Sequence, residues 1–588
     1  MAKKPAKKGA NVEVADYSMQ TEFSRTKLPT GEYSGIQPKD LTGIPETKTV
    51  KYDLERDTAD LTAEFAARDP DLDPQYIWRG KRRNDLNALE VKAPIIYQQE
   101  KIFPRMLIEE MKRRSAIRRN AADAQMILGE GVEDFDPNVQ PGFYNHEEGW
   151  KNRMILGDSL QVMASLAENE SLRGKVQMIY FDPPYGIKFN SNWQPSTKST
   201  NVKDGNKDDI TREPEMVKAF RDTWHDGVHS YLGYLRDRLI VARDLLAESG
   251  SCFVQIGQEN LHRVIALAEE VFGESNFCGI IAFKKTSGFS PALLSSVYDY
   301  IVWYAKDKTK VKYRRLLQNK CDVGLDSGYT WIMGTNGSIR KLKKDELENP
   351  DGLEGRRFQS SNLVSSGATE IGSQPFTYNG VTYSPSNGTH WKTSQKGLGI
   401  LARAGRLFPV GKTLSYLRWI DDYQYTEYTN TWDDTGQSSF APEKDYECQT
   451  TRKTIARCLL MTTDPGDLVL DPTCGSGTTA TVAEQWGRRW ITIDTSRVAL
   501  AIARRRLMIA KYPYYLLADT EEGVRKEMEV TGRAIVRDTY GRVSQGFVYE
   551  RVPHITLKAI ANNAEIDIIW EKYAAESERL RKVMGGVK

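Results

Sequence analysis

Apolar and polar positions set the first division of this chain. Between residues 151 and 307, short apolar runs alternate with segments of helical spacing. "RMILGD" and "KVQMIYF" read as short buried strands. "YLGYLRDRLIVARDLLAES" puts Leu232, Leu235, Leu239, Leu245 and Leu246 on a helical period. "GSCFVQIG" is another strand, "NLHRVIALAEEVFG" a helix closed by Gly273, and "YDYIVWYAK" a further strand. Alternation of this kind predicts a mainly parallel sheet with helices on its faces. The rhythm stops between 310 and 445, where Gly, Ser, Thr, Asn, Tyr and Trp dominate stretches such as "SQPFTYNGVTYSPSNGTHW". Such a segment predicts an inserted domain of short strands and long loops. The α/β rhythm returns in "DLVLDPTCGSGTTATVAEQWGRRWITIDTS" and in the helical "RVALAIARRRLMIAKY".

The two ends read differently. Residues 1–75 are polar with little apolar periodicity, so they are expected to be partly disordered or draped over another surface. In 76–150 the pattern firms, with a helix expected after Pro104 in "EKIFPRMLIEEMKRRSAIRRN". Its basic end is either a solvated face or a phosphate-contacting patch. The tail carries a β-like stretch, "SQGFVYERVPHITL", and a final charged helix. The expected division is therefore 1–75, 76–150, 151–309, 310–445, 446–515 and 516–588.

Composition narrows the class. A chain of 588 residues is too long for one ordinary core. Hydrophobic content of 39% and charged content of 27% fit a globular protein. Net charge is only +3, so a nucleic-acid surface would have to be a local patch. The cysteines at 252, 278, 321, 448, 458 and 474 form no C-x-x-C pair, and with the scattered histidines they offer no zinc pattern. A reduced, cytoplasmic chain without a metal site is expected. No apolar run approaches the roughly 18 residues of a membrane helix, and the basic start "MAKKPAKKGA" lacks the apolar stretch of a signal peptide.

Two motifs carry chemistry. In "VQMIYFDPPYGIKFNSNW" an apolar strand ends on Asp182, Pro183, Pro184 and Tyr185. Prolines there deny the sheet its donors and fix the backbone, holding one carboxylate and one ring rigidly at a sheet edge. In "LVLDPTCGSGTTATVAE" a strand, a Gly-rich turn and a helix follow one another, and Gly475 and Gly477 allow close backbone approach to a ligand. The next strand, "RRWITID", ends on Asp494, a position suited to ribose hydroxyls. Gly475-Ser476-Gly477-Thr478-Thr479-Ala480 also fits G-x-G-x-x-A of a dinucleotide site. Asp471-Pro472 argues the other way, because an acid in the loop suits a cationic amine and repels a pyrophosphate. S-adenosylmethionine carries both the amine and a ribose. Two decoys are set aside. "GRLFPVGKT" has five residues between Gly405 and Gly411 where a P-loop needs four. His225 and His229 lie one helical turn apart but lack a third ligand and a general base.

Asp-Pro-Pro-Tyr together with D-P-x-C-G-S-G-T resembles the amino-methyltransferases of DNA, which methylate the exocyclic nitrogen of adenine or cytosine. The order, tetrapeptide first and glycine turn far later, resembles their β class. "DPPYGIKFNSNW" is especially similar to modification subunits of type III restriction systems. The resemblance covers roughly 150 to 515, and "GFVYERVPHIT" is similar to larger type III-like methylases. It implies a Rossmann-like α/β methyltransferase fold, circularly permuted, with a target-recognition domain inserted between the halves and extensions at both ends. It implies S-adenosyl-L-methionine as cofactor, double-stranded DNA as substrate, a homodimer, and a possible helicase-nuclease (restriction) subunit as partner. Asp182, Pro183, Pro184 and Tyr185 become the catalytic set. Asp471, Pro472, Thr473, Gly475, Ser476, Gly477, Thr478 and Asp494 become the cofactor set, and Asp158, in "ILGDSLQVM", becomes the acid near the cofactor's adenine. The family's T-x-K-P segment is replaced here by "CQTTRKTIARC", which leaves Thr450 and Lys453 without a clear role. Aspartate rather than serine in the tetrapeptide favours adenine. The alternatives are cytosine-N4 methylation, methylation of RNA or of a protein glutamine, and a non-catalytic DNA-reading subunit that keeps the fold. In the insert, Trp391, Lys392, Arg403, Arg406, Arg418 and Trp419 bring basic and aromatic chemistry; the sequence assigns none of them a DNA contact, many of the aromatics are expected in the core, and "NTWDDT" is expected to return the chain to the first fold.

Overall fold

The computed structural model describes residues 20–25, 31–36, 47–52, 76–78, 81, 89–102, 144, 146, 150–185, 227–285, 296–319, 328–348, 353–367, 369–436, 451–510, 512–552 and 554–585. The helix expected after Pro104 lies outside them, as do His225, Thr450 and the stretch after Tyr185. The chain divides into one unit of Met1–Leu316 with Tyr428–Glu550 and a second of Leu317–Glu427 with Arg551–Lys588.

Ten strands build the sheet of the first unit. They are β1 Gly31–Gly35, β2 Tyr97–Ile102, β3 Asn152–Leu156, β4 Val176–Phe181 and β5 Leu246–Ile256. The rest are β6 Phe277–Lys284, β7 Tyr298–Ala305, β8 Thr431–Trp432, β9 Leu468–Asp471 and β10 Arg489–Asp494. Their spatial order is β8-β6-β7-β5-β4-β9-β10-β3-β1-β2. From β5 through β1 all neighbours are parallel. β7 runs antiparallel between β5 and β6, and β2 is antiparallel at the far edge. This is the α/β architecture the alternating pattern predicts.

Helices cover both faces, so the central strands are buried on both sides. They are α1 Ser159–Glu168, α2 Val228–Leu245, α3 Leu261–Phe272, α4 Arg452–Thr462, α5 Thr478–Gln485 and α6 Arg497–Ile509. All six residues of β4 are buried, which is why its sequence reads as a continuous apolar run. Successive side chains still alternate between faces. Ile179 and Phe181 join a core with α1, α2 and α3, whereas Met178 and Tyr180 join one with α4, α5 and α6.

Residues 1–75, expected to be partly disordered or draped over another surface, supply β1 and the strand Gln20–Arg25, which pairs with Tyr512–Tyr515. The region 76–150, expected to be helical, supplies the edge strand β2. These strands are short and polar, so no alternation advertises them. Farther on, Lys81 Nζ meets the carboxylate of Glu270 on α3 at 2.7 Å, with both side chains 1% exposed. Trp78 lies under that ammonium, 4.7 Å away. "NTWDDT" does return to the first sheet: β8 pairs with β6, and Arg457 of α4 grips Asp434 through both guanidinium nitrogens.

The second unit holds a five-stranded antiparallel sheet in the order Ile339–Lys341, Trp331–Met333, Arg356–Asn362, Thr413–Trp419, Leu407–Val410. "GRLFPVGKT" forms the hairpin at one edge, with Gly411 and Lys412 as its two-residue turn, rather than a phosphate loop. The tail divides: residues up to Glu550 stay with the first unit, while a helix at Leu557–Ala561 packs Ile560 and Ala561 against Leu398 and Leu401 of the second. The β-like stretch before it makes an isolated bridge, Leu517 to Phe547.

Candidate active site

Successive strands leave the centre of the sheet in opposite directions, β4 to β5 on one side and β9 to β10 on the other. Ligands of open α/β sheets bind beyond the carboxyl ends of strands at such a reversal. Both sequence motifs end there. β4 runs straight into Asp182, and β9 ends on Asp471. The next two strands beyond β9 contribute acids as well: β10 ends on Asp494, and β3 is followed by Gly157 and Asp158. Backbone bonds tie these ends together. Cys474 N donates to Ile493 O at 2.8 Å and Gly157 N to Asp494 O at 3.0 Å.

The two motifs also touch. The Asp182 backbone N–H donates to Thr473 Oγ1 at 3.0 Å, joining residues 291 apart in the chain. Pro183 is buried, and Asp182, Pro184 and Tyr185 are half-buried.

The glycine turn is built for close approach. Gly475 and Gly477 have φ of 51° and 74°, a region that favours glycine. A Cβ on Gly477 would come within 2.7 Å of Ala503 Cβ on α6, so helix and turn sit almost in contact. Asp494 braces the turn: its carboxylate accepts from Gly475 N at 2.9 Å and from Ser496 N at 2.8 Å. Arg506, buried on α6, donates to Ser476 Oγ at 3.0 Å and Thr478 Oγ1 at 2.8 Å. Asp471 accepts from Thr473 N at 3.0 Å. Burial pushes its carboxyl up to about 7, although hydroxyls of Thr479 and Thr473 pull the other way and Asp494 pushes it further up. Pro472 lies between Asp471 and the turn.

Asp158 caps α1 by accepting from Leu160 N at 2.8 Å, and it pairs with Arg238 Nη2 of α2 at 2.7 Å. Arg238 lies 3.6 Å over the ring of Tyr234 and also donates to Ser159 Oγ at 2.9 Å. Sequence reasoning missed Arg238, because nothing distinguishes it from the other charged residues of its helix.

Tyr185 is fastened from three sides. Its hydroxyl bonds Asp299 Oδ2 at 3.2 Å and Gln255 Nε2 at 2.6 Å, and Asn260 Nδ2 donates to its carbonyl at 2.7 Å. Gln255 and Asp299 belong to β5 and β7, strands whose residues the sequence marked only as core.

Other candidates lie elsewhere. Lys453 Nζ reaches Asp434 O at 3.5 Å, within the return segment. Arg406 is buried and bidentate to Asp422 at 2.6 and 2.8 Å, and Arg403 pairs with Asp567 at 2.6 Å. Trp391 and Trp419 are core side chains. Of the six insert residues singled out, Lys392 is exposed and Arg418 half-buried.

Comparison with known proteins gives the family. A DNA methylase model of the N6/N4 type matches residues 176–505, more than half of the chain. The chain belongs to that family and is a DNA methyltransferase. The type II methyltransferase M.EcaI of Enterobacter cloacae is 25% identical over 379 residues, covering 62% of this chain and 72% of that protein. The probable type III restriction-modification enzyme HindVI Mod subunit of Haemophilus influenzae is 24% identical over 457 residues, covering 68% of this chain. The match spans about half of that subunit's length, 54%. Among solved structures, the cytosine-N4-specific PvuII DNA methyltransferase is 16% identical with a TM-score of 0.28, over 60% of this chain and 85% of that one. A likeness so distant carries no argument about the base.

Proposed function

We propose that this chain is a site-specific DNA methyltransferase that transfers the methyl group of S-adenosyl-L-methionine to N6 of an adenine turned out of the duplex. The observation that carries this reading is the hydrogen bond from Asp182 N to Thr473 Oγ1, which holds a base-acceptor loop and a ligand-cradling turn at one sheet edge.

The residues suit that cofactor. Asp182, Asp471 and Asp494 gather carboxyl groups at the ends of adjacent strands, with Asp158 beside them paired to Arg238; once Asp471 is ionised, that field favours a cation and opposes a pyrophosphate. Asp494, braced at the end of β10 by the N–H groups of Gly475 and Ser496, offers the acceptor chemistry that ribose hydroxyls need. When bound, the cofactor supplies an electrophilic sulfonium methyl group. This chain's residues then prepare the nucleophile. An exocyclic amine is a weak nucleophile because its lone pair is delocalised into the ring. The Asp182 carboxylate and the Pro183 carbonyl each accept one N–H of the amine, which favours pyramidal nitrogen and frees the lone pair. The prolines keep that carbonyl from moving, so little reorganisation remains for the transition state. The methylated nitrogen then gives up one proton, which Asp182 accepts. Tyr185 stacks on the base and recovers part of the few kcal/mol that flipping costs.

Aspartate at position 182 favours adenine; cytosine-N4 is the second reading. In the same reading the catalytic half precedes the cofactor half by circular permutation, the unit containing the insert reads the target sequence, and the enzyme acts in the cytoplasm as a homodimer. A helicase-nuclease subunit is its partner in restriction. Among the described residues no helix is long and apolar enough to cross a membrane. Asp182→Ala should abolish methyl transfer while cofactor binding, followed by calorimetry, changes little; equal loss of both would overturn the division of roles. Digestion of methylated DNA to nucleosides identifies the base: N6-methyladenine supports the first reading and N4-methylcytosine the second.

A further inference from the structure

The hydroxyl of Tyr185 sits in a chain of hydrogen bonds whose direction can be worked out. A carboxylate only accepts, so the 3.2 Å bond to Asp299 Oδ2 is donated by the phenol. The phenol oxygen must then accept from Gln255 Nε2, 2.6 Å away. That turns the Gln255 carbonyl toward Tyr180, whose hydroxyl donates to it at 2.6 Å. Lys285 completes the series by pairing with the same Asp299 oxygen at 3.0 Å. The protons thus run one way, from Tyr180 through Gln255 and Tyr185 to Asp299. Burial drives the Tyr185 hydroxyl well above its ordinary pKa, so it remains a donor at any working pH.

The supports are rigid. Gln255 and Asp299 are 4% and 8% exposed, and they project from adjacent strands of the sheet. The ring also rests against the main chain, since a Cβ on Gly257 would lie 3.1 Å from Tyr185 Cδ2. A tyrosine ring has two side-chain torsions. Packing constrains its body, and paired bonds on opposite sides of the hydroxyl fix its tip. A stacking surface helps catalysis only when its plane is already set as the base arrives.

We propose that Asp299 and Gln255 are positioning residues that hold the ring of Tyr185 in a single plane as a platform for the everted base. The proposal rests on the reading of Tyr185 as the stacking residue. Neither side chain needs to touch DNA or cofactor, so their effect must pass through the Tyr185 hydroxyl.

That requirement gives the test. Initial rates are measured with tritiated S-adenosylmethionine and DNA from a methylation-free host, for Asp299→Leu, Tyr185→Phe and the double variant. Asp299→Leu should lower kcat about tenfold and leave KM for S-adenosylmethionine within about twofold. The double variant should be no slower than the slower single variant, because both changes cut the same link. Asp299→Asn, which keeps an acceptor, should recover most of the loss. Should Asp299→Leu fail to fold, Gln255→Leu runs the same cycle from the other side of the phenol. Multiplying effects in the double variant, or unchanged kcat in Asp299→Leu, would overturn the proposal. Tyr185→Ala separates it from the reading beneath it. Full activity there removes the stacking role itself, whereas an inactive Tyr185→Ala beside a fully active Asp299→Leu removes only the positioning role.

Discussion

Thr473→Val tests the joint between the two loops. Valine keeps the volume of threonine but removes the hydroxyl that accepts from Asp182 N at 3.0 Å. The same hydroxyl helps hold the carboxyl of Asp471 toward its charged form. Asp182 is half-buried, so water can partly replace the lost acceptor. The cost then falls near the net worth of one amide bond, about 1 kcal/mol, rather than the ~3 kcal/mol of a dry, orphaned donor. Loss of the second contact, to a buried carboxyl, adds about 1 kcal/mol. In the proposed reading the joint sets the distance between the methyl donor and the amine, so the larger share should appear in the transition state. A barrier raised by about 1.4 kcal/mol lowers kcat tenfold. For a unit of this size the melting temperature should fall by only about 1–2 °C for each kcal/mol lost. Steady-state methyl transfer at saturating cofactor measures the first effect, and calorimetry the second. Thr473→Ser keeps the hydroxyl and should behave almost as the parent protein. The reasoning is refuted if Thr473→Val keeps its turnover, or if Thr473→Ser is as damaged as Thr473→Val.

Three other perturbations have defined outcomes. The carboxyl of Asp471 sits at about 7 against an ordinary 3.8, so the folded state holds its proton more tightly than the unfolded chain does. Its contribution to stability therefore declines as pH rises from about 4 to about 7 and then levels off, whereas affinity for a cationic cofactor rises over the upper part of that range. Denaturation and cofactor titrations between pH 5 and 8 should show opposite slopes, and Asp471→Asn should flatten both. Gly477→Ala forces φ of 74° on alanine and drives its Cβ to 2.7 Å from Ala503, so cofactor affinity should collapse and the melting temperature drop by several degrees. Lys81→Ala removes the counter-charge of the buried Glu270 carboxylate, which keeps the bond from Tyr76 N, and should cost about 3 kcal/mol in urea denaturation, while Lys81→Met with Glu270→Leu should recover much of it.

What could be read from the chain depended on the range of the signal. β4 was visible because six consecutive buried residues leave an unbroken apolar run, and the acid and prolines after it mark its end. The glycine turn was visible because positive φ and contact with Ala503 require that residue type. β1 and β2 were not, since their place in the sheet comes from strand partners distant in sequence. The same limit hid Arg238 behind Asp158, and Gln255 and Asp299 behind Tyr185. In the insert, residue type leaves the role open: Arg406 and Trp419 have the chemistry of a DNA contact, yet one neutralises a buried Asp422 and the other packs, as expected for many of the aromatics, into an aromatic cluster. Side-chain identity does not report burial.

The insert departs and re-enters at neighbouring points, for Tyr428 N donates to Leu316 O at 3.0 Å. Such a closed doorway makes the second unit exchangeable in principle, like a cassette. It is nevertheless built from two pieces, because Ile560 and Ala561 of the tail complete the apolar cluster around Leu398 and Leu401. A chimera that transplants 317–427 alone would leave that cluster open to water and invite aggregation. One that carries 551–588 along with it brings a finished core, so domain shuffling in this protein, by engineers or by recombination, has to cut the chain in three places rather than two.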